Sequence, residues 1–597
     1  MRNHRFRPSV LIAFSVIVFF SYSSTIAGAQ TFRRDTEDQT NRRDTEAQTF
    51  RRGVVVAREA NAADAGRDAL RAGGNAIDAA IATALAMAVT HPEAGNIGGG
   101  GFIVAYIAKS KQVITYDFRE TAPLASTERM YLDANDRPLP HHRAGPRAAG
   151  VPGTLRGLEL AHREYGSLPW RKLVEPAIRS AREGFAITDH VAKTLNRELA
   201  AKTPVDRTQM NKLADFPASV SAFSKRDRSP WKAGDSLVQP ELAATLERIA
   251  DRGADDFYAG ETARLIVRYM EEGGGLITRQ DLASYRAKRR EPIHTTFKGF
   301  DIYGIGPSAS GGITIALMLN ILERYDLKAD GPRSIRTLHR VTEAMRRGFL
   351  TRALYLGDPD FESIDVNKLI SKEYANEMAK SIDDGRATPS ANLAPFRVIL
   401  AEGEHTTHLS TIDAAGNAVA LTYTLEDSFG SRAVVPGAGF LLNNEMGDFN
   451  LIPGRTDTAG RIGTKPNVIA PGKRMLSSQS PTIVLKDGRV HVVTGSPGGR
   501  TIPNTTLWVL LNLLEFDLDP AAAVAAPRTH HAWFPDIIQV ERALFHDDVV
   551  KPLERLGHRV KAVDIQGDAH TIVVDERTGV RRGVPDPRHE TAKAAGD

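Results

Sequence analysis

Residues 405–424 read HTTHLSTIDAAGNAVALTYT. β-Branched and apolar residues dominate both ends of this stretch, which is typical of strands, and the Asp, Gly and Asn residues at 413–417 are a strong turn signal. The sequence therefore predicts a hairpin, and a turn centred on Ala415 places Thr406 opposite Thr424. Cross-strand partners lie about 5 Å apart. Two hydroxyl groups would meet there, as they also do in ordinary Thr–Thr pairs on a solvated sheet.

A glycine-rich segment further along the chain predicts an anion-binding turn. Residues 494–499 read TGSPGG, between a strand pattern at 490–493 and an apolar helical pattern at 507–514. Backbone N–H groups at the start of a helix lack intrahelical partners, and the helix dipole favours negative charge beside them. Such a turn can stabilise the oxyanion of an acyl-transfer reaction.

Two short polar segments add charged and hydroxyl groups. Residues 443–448 read NNEMGD and place two carboxylates three residues apart after an apolar run. Ser477 and Ser478 follow the basic pair Lys473-Arg474. Each segment alone has an ordinary structural interpretation. Their combination with the hairpin and the glycine turn makes a purely structural role less attractive.

The chain before the hairpin is mainly helical in pattern, and the chain after it shows short strands separated by Asx and Gly turns. Asn75 predicts the N-cap of a helix whose apolar positions begin at Ile77. The glycines at 98–101 predict a tight turn before a strand at 102–107, and no Walker-type lysine follows them. This distribution favours one α+β unit with packed sheets over a series of independent domains.

Several separate motifs in this order closely resemble those of the γ-glutamyltranspeptidases, over about residues 53–588. The matching segments are GNAIDAA (74–80), GGGG (98–101), DFRE (117–120), TTH (406–408), NNEM (443–446), LSS (476–478) and GSPGG (495–499). The resemblance implies the N-terminal nucleophile hydrolase fold, an α+β four-layer αββα sandwich. It also implies an inactive precursor that cuts itself between His405 and Thr406 into a large subunit, 53–405, and a small catalytic subunit, 406–597.

The resemblance implies a γ-glutamyltransferase and glutathione hydrolase that needs no cofactor or metal. Thr406 would attack the γ-glutamyl amide, and water or an amino-acid or peptide amine would resolve the ester. Cleavage frees the α-amine of Thr406, and a pKa of about 7.7–8 suits it as base for a weakly nucleophilic hydroxyl. Thr424 would orient Thr406, and the N–H groups of Gly498 and Gly499 would form the oxyanion hole.

By the same resemblance, two groups of side chains would bind the α-amino-acid end of glutathione and other γ-glutamyl compounds. Arg119 would clamp the substrate carboxylate, because a planar guanidinium matches that group. Two hydroxyl groups would assist it, those of Ser477 and Ser478. Three carboxylates would receive the ammonium, those of Glu426, Glu445 and Asp448. We therefore expect one cationic and one anionic subsite, separate from each other.

Two features depart from the family pattern. Position 426 is an asparagine in many relatives and a glutamate here. The loop between Asp448 and Ser477 has the length of the lid in bacterial members that have one, but it lacks the tyrosine with which that lid gates the site. The resemblance therefore does not predict substrate gating, or the balance between hydrolysis and transfer.

The N-terminal residues predict a secretory signal peptide over 1–29. Three arginines precede an apolar run at 10–20, and small residues at 27–29 suit cleavage near Ala29-Gln30. The eleven-residue apolar run is short for a membrane span. Residues 30–52 repeat a polar nine-residue unit and predict a linker. We expect a periplasmic or secreted enzyme whose large and small subunits form a heterodimer.

Composition argues against several other classes of protein. The absence of cysteine excludes disulfides, thiolate metal sites and a cysteine nucleophile. Without residues 1–29 the chain carries 74 basic and 72 acidic side chains, a net charge of +2, and it has no basic stripe. Nucleic-acid binding is therefore not predicted. The seventeen histidines show no His-Glu-x-x-His spacing, so a metal site is not predicted either.

Two alternatives stay open at this point. A sibling acylase would remove glutaryl-type side chains from β-lactams, but its substrate has no ammonium for Glu445 and Asp448 to bind. A periplasmic binding protein for acidic amino acids would explain export and the charged groups. It would not explain a Thr-Thr-His strand beside a glycine turn that suits an oxyanion.

Overall fold

The computed structural model describes residues 47–200, 211–393, 406–458 and 460–597. The predicted signal peptide, residues 30–46 of the predicted linker and His405 lie outside these ranges. Among the described residues, no helix is both long and apolar enough to cross a membrane.

The end of the predicted linker needs a correction. Residues Gln48–Phe50 form a strand that pairs antiparallel with Arg581–Val584 near the end of the chain. Phe50 packs against an apolar cluster between two sheets, and the N–H groups of Arg51 and Arg52 both donate to the carbonyl of Asp597. The polar repeat does not indicate this pairing, because the partner residues lie at the opposite end of the sequence.

In the described ranges the chain forms eighteen α-helices. They are α1 (Ala60–Arg71), α2 (Ala76–Thr90), α3 (Thr154–Tyr165), α4 (Trp170–Glu183), α5 (Asp189–Leu199), α6 (Pro217–Phe223), α7 (Pro240–Arg252), α8 (Asp255–Ala259), α9 (Glu261–Gly273), α10 (Arg279–Ser284), α11 (Gly311–Leu322), α12 (Leu327–Asp330), α13 (Ile335–Tyr355), α14 (Val366–Leu369), α15 (Lys372–Ala379), α16 (Ile502–Leu514), α17 (Pro520–Ala525) and α18 (Asp547–Arg555). Fifteen of the eighteen precede the hairpin, as the sequence pattern indicates.

The same ranges contain nineteen strands. They are β1 (Gln48–Phe50), β2 (Val54–Ala57), β3 (Gly100–Ile107), β4 (Gln112–Asp117), β5 (Phe185–Ala186), β6 (Ser236–Leu237), β7 (Lys288–Arg290), β8 (Ile293–Phe297), β9 (Phe300–Gly304), β10 (Thr407–Ile412), β11 (Ala418–Thr424), β12 (Thr482–Lys486), β13 (Arg489–Thr494), β14 (Thr529–His530), β15 (Ile538–Glu541), β16 (Val560–Val563), β17 (Thr571–Val574), β18 (Arg581–Val584) and β19 (Lys593–Gly596).

Fourteen of these strands form two seven-stranded sheets. Sheet I has the order β1-β18-β17-β13-β12-β9-β8, and sheet II has the order β19-β2-β10-β11-β3-β4-β7. Neighbouring strands in both sheets run antiparallel. Each sheet takes strands from both sides of position 405, so neither predicted subunit builds a complete sheet alone.

Alternating side chains divide the molecule into four layers, because successive residues of a strand face opposite sides of the sheet. In β2, Val54 faces the cluster between the two sheets, and Val55 faces the opposite core cluster, which contains residues of α1 and α2. In β12, Ile483 faces the other sheet, and Val484 faces a second core cluster, which contains residues of α11, α13 and α16. This arrangement confirms the predicted αββα sandwich.

The hairpin has the predicted register. Thr407 pairs with Tyr423 and Ile412 with Ala418, as a turn centred on Ala415 requires. The Asp413 carboxylate closes the turn, since it accepts hydrogen bonds from the Asn417 N–H at 3.0 Å and side-chain amide at 2.7 Å. It also accepts from the N–H of Ala76 at 3.0 Å, which ties the turn to the start of α2.

The N-cap of α2 is confirmed as well. The Asn75 side chain accepts from the N–H groups of Ile77 and Asp78, and Asp78 accepts from the N–H of Asn75. The following strand β3 begins at Gly100, two residues earlier than the sequence pattern indicates.

Candidate active site

The open end of the β10–β11 hairpin borders a polar cavity. Thr406 directly precedes β10, and Thr424 is the last residue of β11. One further step along the observed register brings Thr406 level with Thr424. The cavity is lined by Arg119, Arg352, Thr406, Thr424, Glu426, Glu445, Asp448, Ser477, Ser478, Gln479, Gly499, Arg500 and Ile502.

This cavity brings together nine of the residues that the sequence singles out. Gly498 is next to the lining residue Gly499, and His405 lies outside the described residues. Sequence reasoning missed four lining residues, Arg352, Gln479, Arg500 and Ile502. Gln479 and Arg500 each follow a predicted site residue, so adjacency could have found them. Arg352 lies within the long helix α13, where no local motif marks it.

The glycine turn lies between β13 and α16, as predicted. A short 3₁₀ turn, Gly499–Thr501, connects the glycine segment to α16. Gly498 has a φ of +124°, and a Cβ there would lie 2.4 Å from the Thr501 hydroxyl oxygen, so the conformation requires glycine. Within the described residues, neither Gly498 nor Gly499 donates its N–H to a hydrogen bond. Both groups are therefore available to an anion.

Arg119 lies two residues beyond β4, and its side chain is fully buried. Its Nη1 lies 2.7 Å from Glu445 Oε2 and 3.4 Å from Glu120 Oε2, and its Nη2 contacts Asp448. Its Nε donates to the Met475 carbonyl at 3.3 Å. Burial opposes the guanidinium charge, but the adjacent carboxylates outweigh it and raise the pKa of Arg119. The structure thus places the cationic and anionic groups in one ion cluster, and not in the two separate subsites that the sequence suggests.

Glu445 and Asp448 begin and end the 3₁₀ turn Glu445–Asp448, which Asn443 holds in place. The Asn443 side chain accepts from the N–H groups of Glu445 at 3.1 Å and Gly150 at 2.8 Å. Its amide donates to the carbonyls of Gly98 at 2.8 Å and Gly150 at 2.9 Å. The NNEM and GGGG motifs therefore meet, and the glycines serve close backbone packing here.

Glu426 lies just beyond β11 with a φ of +80°, an unfavourable backbone conformation for a residue with a long side chain. Asn444 holds its carboxyl group by donating one hydrogen bond to it, and Asn444 donates another to Asp427 at 3.2 Å. Arg143 lies 3.4 Å from Asp427, so a second guanidinium approaches this part of the cluster.

Burial makes several of these carboxyl groups weak acids. It raises the pKa of Glu445 well above the ordinary value, although Arg119 opposes the change. It also raises the pKa of Glu426, and the neighbouring Asp427 and Asp448 add to the shift. The pKa of Glu120 rises to about 7, because burial outweighs the attraction of Arg119. The two buried acids of the cavity wall, Glu426 and Glu445, therefore hold their protons more tightly than exposed carboxyl groups do.

Ser477 and Ser478 are positioned by the segment that leads into α11. The N–H and hydroxyl of Ser310 both donate to the Ser477 carbonyl at 2.7 Å, and Ser477 donates its N–H to the Ser308 carbonyl at 3.0 Å. Arg352 adds a guanidinium whose Nη2 donates to the Ser478 hydroxyl at 3.2 Å. Two hydroxyls beside Arg119 and Arg352 suit an anionic group.

A possible metal-binding trio lies elsewhere, at His339, Glu343 and His558, whose ligand atoms fall within 4.8 Å of one another. Among the described residues, the ring nitrogens of His339 and the carboxylate oxygens of Glu343 have partners, and His558 Nδ1 has none. His339 Nδ1 lies 2.8 Å from His558 Nε2, a hydrogen-bond distance, and Glu343 forms ion pairs with Arg346 at 3.2 Å and Arg347 at 2.5 Å. Two adjacent guanidinium groups disfavour a further cation, so we interpret the trio as structural.

Chemically, the cavity combines a hydroxyl pair, two free N–H groups and a cluster of both charges. That combination suits acyl transfer from a small donor with a zwitterionic end. A family model described as gamma-glutamyltranspeptidase matches residues 62–596. The glutathione hydrolase proenzyme of Escherichia coli (strain K12) is 41% identical over 549 residues, which cover 91% of this chain and 92% of that protein.

Two solved structures superpose on this chain. The crystal structure of a cephalosporin acylase from Bacillus halodurans superposes with a TM-score of 0.80 at 28% identity, covering 94% of this chain and 99% of that chain. The crystal structure of Helicobacter pylori gamma-glutamyltranspeptidase superposes with a TM-score of 0.53 at 40% identity, covering 56% of this chain and 93% of that chain.

Proposed function

The chain belongs to the γ-glutamyltranspeptidase family, and from this premise we propose which residues carry out its reaction. It is a γ-glutamyltransferase and glutathione hydrolase, and Thr406 is the nucleophile. One observation carries this assignment: a single cavity is lined by Thr406, Thr424 and Gly499 together with the buried pair Arg119 and Glu445. The nucleophile, the oxyanion donors and the charged head-group site are thus within reach of one small donor.

In the first half-reaction, the free α-amine of Thr406 takes the proton of its own hydroxyl as the oxygen attacks the donor γ-carbonyl. Thr424 orients that hydroxyl. The N–H groups of Gly498 and Gly499 bind the oxyanion that forms. The C–N bond then breaks, the ammonium returns its proton to the leaving amine, and a γ-glutamyl ester remains on Thr406.

In the second half-reaction, water or an acceptor amine attacks this ester through the same groups. Water gives glutamate, and an amine gives a new γ-glutamyl amide. Amino acids and short peptides are the acceptors that we propose. Both routes restore the Thr406 hydroxyl, because the attacking group transfers its proton through the α-amine.

The donor head group enters the ion cluster around Arg119. The donor carboxylate binds Arg119, Ser477 and Ser478. The donor ammonium binds the carboxyl groups of Glu426, Glu445 and Asp448. A zwitterion brings one charge of each sign, so Arg119 and Glu445 can exchange their mutual ion pair for two new ones. No buried charge is then left without a partner. An unpaired buried charge would be costly.

The nucleophile requires maturation, and we propose cleavage between His405 and Thr406. The products would be a large subunit ending at 405 and a small subunit, 406–597, that stay together. Both seven-stranded sheets support this association, since each contains strands from both sides of the cut. The Escherichia coli relative is named a proenzyme, and the Helicobacter pylori chain aligns with 56% of this chain, which fits a two-chain form.

We also propose that residues 1–29 direct export and are removed near Ala29-Gln30. The charged, apolar and small segments of that sequence support this assignment. Edman sequencing of both chains from a native host would test the two cleavage sites together. The large chain should begin near Gln30, and the small chain should begin at Thr406.

A glutaryl-type acylase is the second candidate, because the cephalosporin acylase structure has a TM-score of 0.80. The buried acid Glu445 and its neighbour Asp448 favour the γ-glutamyl donor, since a glutaryl group offers them no cation.

The decisive experiment is to trap the acyl-enzyme. Brief reaction with a γ-glutamyl anilide should place a γ-glutamyl group on Thr406, located by mass spectrometry of the small chain. Modification at another residue would reject the assignment of the nucleophile.

A further inference from the structure

The turn that carries Gly498 and Gly499 is anchored from below by Ser496, which is fully buried. The Ser496 hydroxyl donates to the Pro497 carbonyl at 2.7 Å and accepts from the N–H of Asp568 at 2.9 Å. Gly567 allows this approach, because a Cβ at that position would lie 2.7 Å from the Ser496 oxygen. The position of the turn therefore depends on the backbone at Asp568.

Three basic side chains lie against the Asp568 carboxylate, and His589 Nε2 is the most distant of them, at 3.9 Å. Arg58 Nη1 donates to Asp568 Oδ2 at 2.9 Å, and His570 Nε2 lies 3.4 Å from the same oxygen. Asp568 is 2% exposed and Arg58 is 8% exposed. Burial alone would raise the pKa of Asp568, but His570 and Arg58 outweigh it and lower that pKa. The carboxylate therefore stays charged, and Arg58 is its closest counterion among the described residues.

Arg58 and Asp568 lie on opposite sides of the proposed cleavage. Arg58 directly follows β2, before position 405, and its carbonyl accepts from the Thr591 hydroxyl at 2.9 Å. Ser496 and Asp568 lie after position 405. None of these residues lines the cavity, so any effect that they have on the reaction is indirect.

We infer that the Arg58–Asp568 ion pair is a positioning pair that sets the geometry of the oxyanion-binding turn. This inference rests on the proposed function. Arg58 fixes the Asp568 carboxylate, the Asp568 backbone fixes Ser496, and Ser496 fixes the residues that lead to Gly498 and Gly499. The bound donor needs these N–H groups less than the tetrahedral intermediate does. Loss of the pair should therefore lower kcat and leave KM nearly unchanged.

The test compares Arg58→Gln, Arg58→Lys and Ser496→Ala with the unmutated enzyme, on a γ-glutamyl anilide. We expect kcat to fall about ten- to a hundredfold in Arg58→Gln and in Ser496→Ala, because small displacements of catalytic groups have effects of this size. KM should stay within about threefold. Arg58→Lys should retain most of kcat, because an ammonium can still pair with Asp568. All rates are referred to the amount of mature small chain, so poor maturation does not imitate the effect.

A second measurement separates positioning from loss of stability. Affinity for a tetrahedral phosphonate analogue of the γ-glutamyl group should fall in parallel with kcat/KM, whereas affinity for glutamate should not change. Asp256→Asn is the matched control, since Asp256 is a buried acid 3.3 Å from Arg248 in the outer helical layer. Asp256→Asn should lower Tm, and it should not change the affinity for the phosphonate relative to the affinity for glutamate.

Three outcomes decide the matter. An unchanged kcat in both Arg58→Gln and Ser496→Ala would overturn the positioning pair. So would an equal loss of affinity for glutamate and for the phosphonate. If the unmutated, mature enzyme does not cleave γ-glutamyl anilides, the proposed function itself fails, which is a distinguishable result.

Discussion

Arg119 Nη1 lies 2.7 Å from Glu445 Oε2, and neither side chain is exposed to solvent. Removing two charges from water costs more than such a pair usually returns, so a buried pair of this kind is weak evidence for a contribution to stability. Its location in the wall of the cavity instead indicates a role in recognition. Asp448 contacts the same guanidinium and is partly exposed, so it lies toward the side from which a donor arrives.

Replacing Arg119 should leave folding intact and weaken binding of the donor. Arg119→Lys keeps a positive charge for Glu445 but loses the planar, bidentate geometry that a carboxylate prefers. Loss of one charged hydrogen bond costs about 1.5–3 kcal/mol, or roughly ten- to a hundredfold in kcat/KM. Assays with a γ-glutamyl anilide should show this loss in protein that still contains two chains. An unchanged kcat/KM would remove Arg119 from the donor site.

The acids opposite Arg119 should make the enzyme select γ-glutamyl over glutaryl groups. A glutaryl group brings a carboxylate without an ammonium, so Glu445 and Asp448 face an added negative charge. We expect a preference on the order of 10² in kcat/KM, less than the largest known rejections, because one acid can take up a proton. Matched γ-glutamyl and glutaryl anilides measure it directly.

Asp448→Asn should narrow this preference, chiefly by lowering γ-glutamyl activity. The amide keeps the shape of the side chain and removes one partner of the ammonium. Ser477→Ala is a useful comparison, since it weakens the carboxylate end that both substrates share and should leave the preference unchanged. Equal rates for the two anilides on the unmutated enzyme would favour the acylase.

Thr406→Ala should prevent maturation. In the proposed mechanism, the hydroxyl that attacks the donor is also the group that attacks the preceding carbonyl in the precursor. A denaturing gel should then show one chain where the unmutated protein shows two. Thr407→Ala is the matched control, because Thr407 lies one residue further along and is buried inside β10. Two chains from the Thr406→Ala protein would contradict the assignment.

Glu426 should make the protein less stable as the pH rises. Its pKa is raised in the folded state by burial and then by Asp427 and Asp448, so the folded protein holds this proton more tightly than the unfolded chain. Stability from this group is complete below the unfolded pKa and is lost as pH rises toward the folded pKa. Glu426→Gln should therefore gain Tm relative to the unmutated enzyme at pH 8, with a smaller gain at pH 4.5.

Glu426→Asn should add a second, pH-independent gain, because asparagine tolerates a φ of +80° better than glutamate. That backbone term is on the order of 1 kcal/mol. Glu261→Gln is a control at a group whose pKa shift has the opposite sign, since a hydrogen bond from Arg264 lowers the pKa of Glu261. It should gain nothing as the pH rises. A Tm difference for Glu426→Gln that does not depend on pH would show that the Glu426 carboxyl does not titrate in this way.

Local patterns predicted the features that depend on neighbours in the sequence. The turn residues at 413–417 determine the hairpin register and hence the level of Thr406 and Thr424. Asn75 and Asp78 determine the start of α2, since capping involves only three or four residues. The alternation of strands and helices predicts an α+β unit, and the motif resemblance predicts its layers.

Distances between remote segments could not be predicted in this way. The strand Gln48–Phe50 was missed because its partner, Arg581–Val584, lies at the other end of the chain. Arg352 carries no local signal and meets Ser478 only after α13 packs against α11. The separate subsites expected for Arg119 and Glu445 are one ion cluster, because β4 and the 3₁₀ turn at Glu445 meet in the folded chain.

The fold class, the hairpin register and the types of residue that the chemistry requires could all be predicted from the chain of residues alone. Which charges pair, which acids are buried and what supports the glycine turn became visible only in the folded molecule. The physical reason is that turns, caps and strand periodicity arise from interactions between residues a few positions apart. The charge state of Glu445, and the link from Arg58 through Asp568 to Ser496, depend on burial and contacts that only the packed layers create.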